Sequence, residues 1–484
     1  MKIAIVAAEI TPWAKAGGLA DVIGALPSAL KQSGADTAVI LPGYRGILGA
    51  LRTTQVAASL SVPLGDSSVQ FDVLRADSRD GVPLYLVHRP DYFDRPGIYG
   101  ENGADYPDNL RRYVMFGRAA ALVAARFIRP QVLHAHDWHA AVAPIVARAD
   151  PSLRTALGDA LVAFTLHNLA FQGISEPQDF GLLNIDRSYF SMECLEFWGR
   201  INLMKGAIVL ADGASTVSPT YAREVSGDPE LGFGLEGVLR GKGRRFVGIL
   251  NGADYTEWDP AIDPTIAARY TRARPEGKMI CRRALRRLAG LADSADEPIV
   301  GMVTRMTPQK GVNLIGDGLD AMMGLGVQLV MLASGDPALE KYFKAAEERF
   351  PGRLRVELAF DNTLAHQIQA GSDIFLMPSR FEPCGLTQMY ALKYGTAPLV
   401  RATGGLRDTV AEFDARRGTG NGFTFEAYSA EAMVAALARA RNLFSDRAAW
   451  QRLMDNCFAA DFSWAVSARN YLRWFDDLRR MRSA

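Results

Sequence analysis

The residues from Asp373 to Tyr394 combine a strand, a polar turn and a helix in a pattern that can bind an anion. The apolar run from Asp373 to Pro378 is typical of a buried strand. The turn and the start of the helix contain Glu382, Cys384, Gly385, Leu386 and Thr387. The first amides of a helix lack internal partners and favour negative charge, while a carboxylate can hydrogen-bond hydroxyl groups. The pattern therefore indicates a site for a sugar joined to a phosphate, with an ordinary strand-to-helix connection as the alternative.

Two other turns place cations after predicted strands. Lys15 lies beside Gly17 and Gly18, where two glycines allow the backbone to approach a ligand closely. Arg305 and Lys310 bracket the turn after a later strand. A planar guanidinium and a compact ammonium together suit a diphosphate. Solvated surface cations would have the same pattern, so the interpretation depends on what else lies at these strand ends.

A third strand ends in a cluster of histidines. His134, His136 and His139 surround Asp137, and this spacing raises the hypothesis of a zinc-dependent hydrolase. Because alternate residues of a strand face opposite sides, His134 and His136 are predicted to share one face and Asp137 to lie on the other. Asp137 is well placed to bind a hydroxyl-rich ligand. His167 follows another buried strand, where open α/β sheets place ligand contacts.

Composition narrows the class of protein. The chain has 484 residues, of which 49% are hydrophobic and 22% charged, with a net charge of +1. A net charge this close to zero gives no overall electrostatic attraction to nucleic acid or to a membrane surface. The four cysteines are far apart, which argues against a disulfide framework and suits a reducing compartment. No apolar run reaches the length of a membrane span. We predict a cytoplasmic enzyme with neither nucleic-acid nor membrane partners.

Strands and helices alternate in two separate series, which predicts an α/β protein with two doubly wound sheets. The first series closes near Asn251, and the second begins at a strand starting at Pro298. The predicted domains are residues 1–255 and 256–462, with residues 463–484 as a helix that packs back on the first domain. The segment from Asp259 to Thr265, rich in Asp and Pro, is a linker candidate.

Six motifs, in order along the chain, resemble those of bacterial glycogen synthases and plant starch synthases. They are Lys15–Val22, His134–Trp138, Thr165–Asn168, Arg305–Gly311, Ser379–Gln388 and Thr403–Thr409. The resemblance implies the GT-B fold, with two Rossmann-like domains facing each other across a deep cleft. It also implies transfer of glucose from ADP-glucose to the non-reducing 4-hydroxyl of an α-1,4-glucan, with retention at the anomeric carbon. Its partners would be ADP-glucose or ADP and glycogen or a malto-oligosaccharide, with no cofactor and no metal.

The resemblance assigns roles to individual positions. Lys15, with the backbone at Gly17 and Gly18, would approach the diphosphate and the sugar of the donor. Arg305 and Lys310 would neutralise the leaving diphosphate.

The remaining implied roles concern the sugar and the nucleotide. Glu382 would bind glucose hydroxyls, His167 would lie against the glucose, and Asp137 would sit on the acceptor side. Further substrate contacts would come from Asn251, Cys384 and the amides of Gly385, Leu386 and Thr387. Phe360 stands where the family often has a tyrosine that stacks on adenine. Tyr390 stands where wider relatives have a second glutamate, so a carboxylate contact to the ribose is in doubt.

Several alternatives stay open. The donor could be UDP-glucose, or the product another glucan made by a transferase of the same fold. A metal-dependent hydrolase and a non-catalytic nucleotide-sugar binding protein are the rivals from other classes. Retention could arise by departure and attack on the same face of the sugar or by a double displacement.

Overall fold

The computed structural model describes residues 1–101, 103–294, 296–359 and 361–483, which form two compact units. Unit 1 runs from Met1 to Gly252 and takes up the chain again from Trp464. Unit 2 runs from Ala253 to Ser463. The segment from Asp259 to Thr265 lies inside unit 2, so its prediction as a linker is wrong. Asp263 is buried there because its carboxylate binds the side chains of other unit 2 residues.

Unit 1 is built on a nine-stranded sheet in the order β14-β13-β9-β8-β1-β2-β5-β4-β3. All of its neighbouring strands are parallel except β3, β4 and β5, which pair antiparallel. The central strands β1, β8 and β9 are almost wholly buried because helices cover both faces. The strands of unit 1 are β1 (Lys2–Val6), β2 (Asp36–Pro42), β3 (Thr54–Leu64), β4 (Ser67–Asp77), β5 (Pro83–His88), β6 (Gly100–Glu101), β7 (Ala104–Asp105), β8 (Val132–His136), β9 (Leu161–Leu166), β10 (Ile174–Ser175), β11 (Glu196–Phe197), β12 (Arg200–Asn202), β13 (Gly213–Thr216) and β14 (Phe246–Gly248).

The helices of unit 1 connect these strands. They are α1 (Gly18–Gln32), α2 (Arg45–Ala50), α3 (Pro90–Phe93), α4 (Asn109–Val123), α5 (Val142–Ala149), α6 (Pro151–Leu157), α7 (Leu203–Leu210), α8 (Pro219–Gly227), α9 (Pro229–Gly232) and α10 (Glu236–Gly241). Shorter helical turns cover Ala124–Ile128, Trp138–Ala140, Pro177–Leu183, Arg187–Tyr189 and Gly243–Arg245. The turn at Trp138–Ala140 begins directly after Asp137, so it fixes the chain where β8 ends.

Unit 2 has a wholly parallel sheet in the order β17-β16-β15-β18-β19-β20. Its strands are β15 (Ile299–Met306), β16 (Gln328–Gly335), β17 (Leu354–Glu357), β18 (Ile374–Met377), β19 (Ala397–Arg401) and β20 (Phe423–Phe425). Its helices are α11 (Glu276–Leu288), α12 (Val312–Gly324), α13 (Pro337–Arg349), α14 (Asn362–Gly371), α15 (Thr387–Lys393), α16 (Gly404–Thr409), α17 (Ala430–Ser445) and α18 (Arg447–Ala459), with a short turn at Pro308–Lys310.

The last helix, α19 (Trp464–Ser483), belongs to unit 1. Its buried aromatic side chains surround the ring of His134, with Tyr471 at 5.5 Å and Phe475 at 5.3 Å between ring centroids. This helix therefore closes one face of the first sheet below β8. Within the described ranges, no helix is long and apolar enough to cross a membrane.

Each sheet has one point where the strand order reverses. In unit 1 the chain proceeds from β1 to β2 on one side and later returns to place β8 on the other. In unit 2 the corresponding neighbours are β15 and β18. Open α/β sheets bind ligands outside the carboxyl ends of the strands at such reversals. The loops after β1, β8, β15 and β18 are therefore where the site residues should be sought.

Candidate active site

Four predicted site positions of unit 1 follow parallel strands of the same sheet and share one edge of it. The loop with Lys15 follows β1, Asp137 follows β8, His167 follows β9 and Asn251 follows β14. Parallel strands point their carboxyl ends the same way, so the topology brings these residues to a common rim. The first two of these loops flank the reversal point.

Glu9, which lies at the end of the first apolar run, holds the Lys15 loop in place. One carboxylate oxygen accepts hydrogen bonds from the amides of Ala16 (2.8 Å) and Gly17 (2.7 Å). The other accepts the hydroxyl proton of Tyr99 at 2.7 Å. The Glu9 side chain is buried, and these three hydrogen bonds replace the water contacts that its oxygens lose on burial. The loop therefore has a defined shape before any ligand binds.

The loop itself leaves room for a ligand. A Cβ atom built on Gly17 or Gly18 would meet no heavy atom within 4 Å. Packing in the free protein therefore does not require glycine at these positions. The missing side chains leave the backbone accessible to a ligand. Lys15 is half exposed and pairs with Asp21 at 2.7 Å, a surface ion pair that a charged ligand can replace at small cost.

Asp137 and His167 are directly joined. The backbone amide of His167 donates to the Asp137 carboxylate at 2.7 Å. Asp137 has φ = 57°, a left-handed conformation that is uncommon for residues other than glycine and costs about 1–3 kcal/mol. Removal from water raises the pKa of Asp137 to about 7, partly opposed by the His167 amide. A strained carboxylate that titrates near neutral pH is characteristic of a functional position.

The three histidines around Asp137 do not converge on a common point. His134 bonds Thr165 at 2.7 Å and His136 bonds His167 at 3.0 Å, while His139 stacks on Tyr99 with centroids 4.2 Å apart. Over the described ranges, no group of three potential metal ligands is assembled. The side chains that raised the metal hypothesis are thus engaged in other contacts.

Asn251 is buried at the end of the same sheet edge. Its side-chain oxygen has no hydrogen-bond partner among the described residues. A buried amide oxygen without a partner costs about 1–3 kcal/mol, so a substrate hydroxyl or amine would be a favourable partner.

In unit 2, Arg305 lies near the carboxyl end of β15, and Lys310 and Glu382 lie in the loops after β15 and β18, at the reversal point. Lys310 and Glu382 form an ion pair at 2.6 Å, and both side chains are largely buried. Ser379 also donates to the Glu382 carboxylate, at 3.1 Å. The Arg305 side chain is exposed, and its guanidinium has no partner in the described part of the chain. One cation is therefore held by a neighbouring carboxylate and the other is available for an incoming anion.

The turn after β18 is fixed by close packing. Gly385 has φ = 74°, and the buried side chain of Gln388 donates to the carbonyls of Cys384 (3.1 Å) and Gly385 (3.0 Å). A Cβ on Gly405 would lie 2.1 Å from the Cys384 carbonyl oxygen, so the start of α16 packs directly against this turn. Among described residues, no acceptor is found for the amides of Gly385, Leu386 and Thr387.

Two positions implied for the nucleotide differ in outcome. Tyr390 is buried and stacks on Trp258 with centroids 4.3 Å apart, and Trp258 stacks in turn on His366 at 3.7 Å. Tyr390 thus belongs to the core of unit 2, consistent with the doubt about a ribose contact there. Phe360 lies outside the described residues, so its stacking role stays a prediction.

Comparison with known proteins follows the same division of the chain. A family model described as the starch synthase catalytic domain matches residues 2–241, and one described as glycosyl transferases group 1 matches residues 289–452. A glycogen synthase of Geotalea uraniireducens is 42% identical over 97% of each chain. Another, of Anaeromyxobacter dehalogenans, is 43% identical over 97% of this chain and 98% of that one. The chain belongs to the glycogen synthase family.

Solved structures agree with membership of the glycogen synthase family. The catalytic domain of starch synthase IV from Arabidopsis thaliana, bound to ADP and acarbose, is 34% identical, with a TM-score of 0.89 over 99% of both chains. Sucrose-phosphate synthase of Thermosynechococcus elongatus, at 16% identity and a TM-score of 0.60, shares the fold. The predictions of a GT-B fold and of a glycosyltransferase with glycogen synthase activity are therefore confirmed.

Sequence reasoning missed three residues that position the site. Glu9 interrupts an apolar strand at its carboxyl end, and that interruption was the available signal. Gln388 lies inside one of the family motifs, but its position in a predicted helix gives no sign that its side chain bonds the preceding turn. Tyr99, which completes the Glu9 contacts, comes from a long loop that offers no periodic pattern.

Proposed function

We propose that this chain transfers glucose from ADP-glucose to the 4-hydroxyl at the non-reducing end of an α-1,4-glucan. The anomeric configuration is retained, and the acceptor is glycogen or a malto-oligosaccharide. The observation that carries the proposal is the ion pair of Lys310 with Glu382, together with the exposed Arg305, at the point where the second sheet reverses. The ADP in the starch synthase IV structure supports a nucleoside diphosphate as the leaving group.

Charge development explains why this arrangement favours the reaction. Breaking the bond between glucose and phosphate builds positive charge on the sugar ring and negative charge on ADP. Fixed cations aimed at the leaving group stabilise the transition state more than the ground state. Arg305 and Lys310 would neutralise the diphosphate, and the free amides of Gly385, Leu386 and Thr387 would bind its oxygens.

Glu382 would bind glucose hydroxyls once the sugar is present. Its ion pair with Lys310 and its hydrogen bond from Ser379 fix the carboxylate in one orientation. Cys384 lies in the same turn and would contact the substrate by its backbone. Because unit 2 supplies both the cations and this carboxylate, we assign it the donor.

Unit 1 would contribute to the sugar and the acceptor. Lys15, with the backbone of Gly17 and Gly18, would approach the diphosphate and the glucose through the space that no side chain fills. His167 would lie against the glucose, and Asn251 would give its unpartnered oxygen to a substrate donor.

Asp137 would bind the acceptor hydroxyl. Its carboxylate is held by the His167 amide, so it stays at a fixed distance from the residue that contacts the glucose. Retention follows if ADP leaves and the acceptor attacks on the same face of the sugar, in one ion-pair-like state.

We further propose that the reaction needs neither a divalent metal nor a cofactor, because two protein cations are available to neutralise ADP. The protein would work in the cytoplasm. The buried free thiols of all four cysteines support a reducing compartment.

The deciding experiment measures glucose incorporation into glycogen from ADP-glucose and from UDP-glucose, each with and without EDTA. The proposal expects incorporation from ADP-glucose that EDTA does not reduce. Faster transfer from UDP-glucose would overturn the donor assignment, and loss of activity in EDTA would overturn metal independence. The Arg305→Ala variant is the matched negative control, since it should fold normally yet transfer glucose slowly.

A further inference from the structure

We propose that His136 is a positioning residue that fixes the proton of His167 on Nδ1, so that His167 presents an N–H donor to the sugar. The inference rests on the proposed function in one respect, namely that His167 lies against the glucose. It assigns a role to the histidine pair of the β8 motif, which the proposed reaction does not otherwise use.

The geometry places the two rings in direct contact. β8 and β9 are adjacent and parallel, with His136 opposite Thr165, so His167 follows two residues later on the neighbouring strand. His136 Nδ1 lies 3.0 Å from His167 Nε2, a normal hydrogen-bond distance. His136 is fully buried, whereas His167 is only partly buried. The remaining ring nitrogen of His167, Nδ1, has no partner among the described residues.

Both rings are neutral near pH 7. Burial lowers the pKa of His167 to about 3 and lowers the pKa of His136 well below its usual value, where the nearby imidazoles contribute further. Each neutral ring carries one proton, and one of the two must lie between Nδ1 of His136 and Nε2 of His167. Only two arrangements are possible, because either ring can be the donor.

The other nitrogen of His136 distinguishes these arrangements. His136 Nε2 is buried and has no hydrogen-bond partner in the described part of the structure. If His167 were the donor, His136 Nε2 would carry a buried N–H without an acceptor, which folded proteins rarely tolerate. If His136 is the donor, that nitrogen is instead an unoccupied lone pair. The second arrangement leaves the proton of His167 on Nδ1.

Neighbouring groups keep His136 in this position. The His134 ring lies 4.1 Å from it between centroids and is held by Thr165 at 2.7 Å, which in turn bonds Ser215 at 2.7 Å. Phe475 of α19 packs against the His134 ring, with centroids 5.3 Å apart. The rings cannot turn out into water, so the orientation of His136 is set by the fold. In functional histidines, the hydrogen bond made by one ring nitrogen commonly decides whether the other nitrogen carries the proton.

The test compares His136→Asn with His136→Leu. The side-chain amide of asparagine can place an N–H donor near the position of Nδ1, whereas leucine fills the space without any donor. With ADP-glucose and glycogen, the leucine variant should lose about 10–100-fold in kcat with little change in KM, as expected for loss of an oriented donor. The asparagine variant should recover to within about tenfold of wild type.

Nitrogen NMR of protein labelled at its six histidines reads the tautomer directly. His167 should be protonated at Nδ1 in wild type and in His136→Asn, and should shift toward Nε2 protonation in His136→Leu. His139→Phe is the matched control, because it alters a neighbouring stacked ring without touching the His136–His167 bond. It should leave the His167 tautomer unchanged.

Three results would overturn the inference. One is His167 protonated at Nε2 in the wild-type protein. Another is wild-type kcat in His136→Leu. The third is an equal loss of rate in the asparagine and leucine variants that parallels a fall in Tm, since that pattern indicates a structural role only. If wild-type protein transferred no glucose at all, the proposed function would fail, yet NMR would still decide the tautomer.

Discussion

The candidate site residues of unit 1 and those of unit 2 differ in how their polar groups are held. In unit 1 they bond to one another and to the backbone: Glu9 to the Lys15 loop, Asp137 to His167, and His167 to His136. In unit 2 the central groups carry full charges, and Arg305 is exposed without a partner in the described residues. A reacting sugar requires fixed geometry, and a departing diphosphate requires charge. The two sheets meet these requirements separately.

Glycines show the same difference. Gly17 and Gly18 of unit 1 border open space, whereas a Cβ on Gly311 of unit 2 would lie 2.0 Å from the carbonyl oxygen of Pro378. Gly17 and Gly18 thus keep a surface accessible, and Gly311 allows two turns to pack. Substitution of Gly17 or Gly18 should therefore affect activity, whereas substitution of Gly311 should affect stability.

The largest effect is expected for Lys310→Ala. This change removes a cation from the leaving group and leaves Glu382 largely buried without its partner. We expect kcat/KM to fall about 10²–10³-fold, or about 3–4 kcal/mol. The free energy of unfolding should fall by about 3 kcal/mol, because an uncompensated charge remains. Activity assays and urea unfolding measure both.

A double variant separates the two effects of Lys310→Ala. Adding Glu382→Gln removes the orphaned charge, so stability should recover while activity stays low. Stability that did not recover would show that the ion pair is not the source of the loss.

Arg305→Ala should affect the rate alone. Its guanidinium is exposed and bonds no described side chain, so Tm should match wild type. We expect kcat/KM to fall about 10²–10³-fold, since one preorganised cation is lost. The exposed Arg416→Ala in the same unit is the charge-matched control and should keep full activity. Wild-type turnover in Arg305→Ala would refute the division of tasks between the units.

Asp137→Asn tests the strained carboxylate of unit 1. We expect kcat to fall about 10²-fold, because an amide cannot stabilise the acceptor hydroxyl as a carboxylate does. With a pKa of about 7, ionisation of Asp137 should make the wild-type rate rise with pH through neutrality. The variant should lack that rise, and a pH–rate profile of each protein checks this.

The same residue has a predictable effect on stability. The folded-state pKa of Asp137 is raised by desolvation, so the protonated group stabilises the fold below the unfolded pKa near 4. That contribution is lost as pH rises toward about 7. Asp137→Asn should therefore show a smaller decline in Tm between pH 5 and 8 than wild type. An identical decline in the two proteins would contradict the raised pKa.

Paired glycine substitutions test the packing difference. Gly405→Ala forces a Cβ onto the Cys384 carbonyl, so it should cost about 1–3 kcal/mol of stability or more. Gly17→Ala meets no heavy atom, so Tm should not fall, while kcat/KM should drop about tenfold if the backbone approaches the donor. Thermal unfolding and donor kinetics distinguish the two variants. A loss of stability in Gly17→Ala would remove the contrast.

Much of this site follows from local sequence because strand ends and turns are local features. The apolar runs predict β1, β8, β9, β15 and β18, and in parallel sheets the residues after such strands share one edge. Lys15, Asp137, His167, Lys310 and Glu382 could therefore be placed at strand ends before their contacts were known. The paired face of His134 and His136 likewise follows from strand alternation.

The contacts that complete the site are long-range, and no local pattern predicts them. Glu9 and Tyr99 are 90 residues apart, and Lys310 and Glu382 are 72 apart. Asp263 shows the opposite error: a segment rich in Asp and Pro has the composition of a linker, yet its carboxylate is buried against His366 and Tyr394. Composition indicates how well a segment is solvated when it is unfolded. Whether a residue is buried depends on the distant partners that the fold brings next to it.

The smallest predicted effects concern the brace beneath the Lys15 loop. In Glu9→Gln the side chain keeps only one oxygen that can accept hydrogen bonds. It can therefore accept either from the amides of Ala16 and Gly17 or from the Tyr99 hydroxyl, but not from both sides at once. Each lost hydrogen bond to a charged group is worth about 1.5–3 kcal/mol at most. We expect kcat/KM for ADP-glucose to fall about tenfold, mainly through a higher KM as the loop loosens.

Tyr99→Phe removes one hydrogen bond to Glu9 and leaves both amide bonds intact. It should therefore reduce kcat/KM by about threefold or less. The informative quantity is the ratio of the kcat/KM losses in the two variants. Both variants change the hydrogen bonds of the Glu9 carboxylate, but only Glu9→Gln weakens its bonds to the Lys15 loop. Equal losses in Glu9→Gln and Tyr99→Phe would show that Glu9 stabilises the long loop with Tyr99 rather than the loop with Lys15. The shape of the Lys15 loop would then be set by the ligand instead of by the fold.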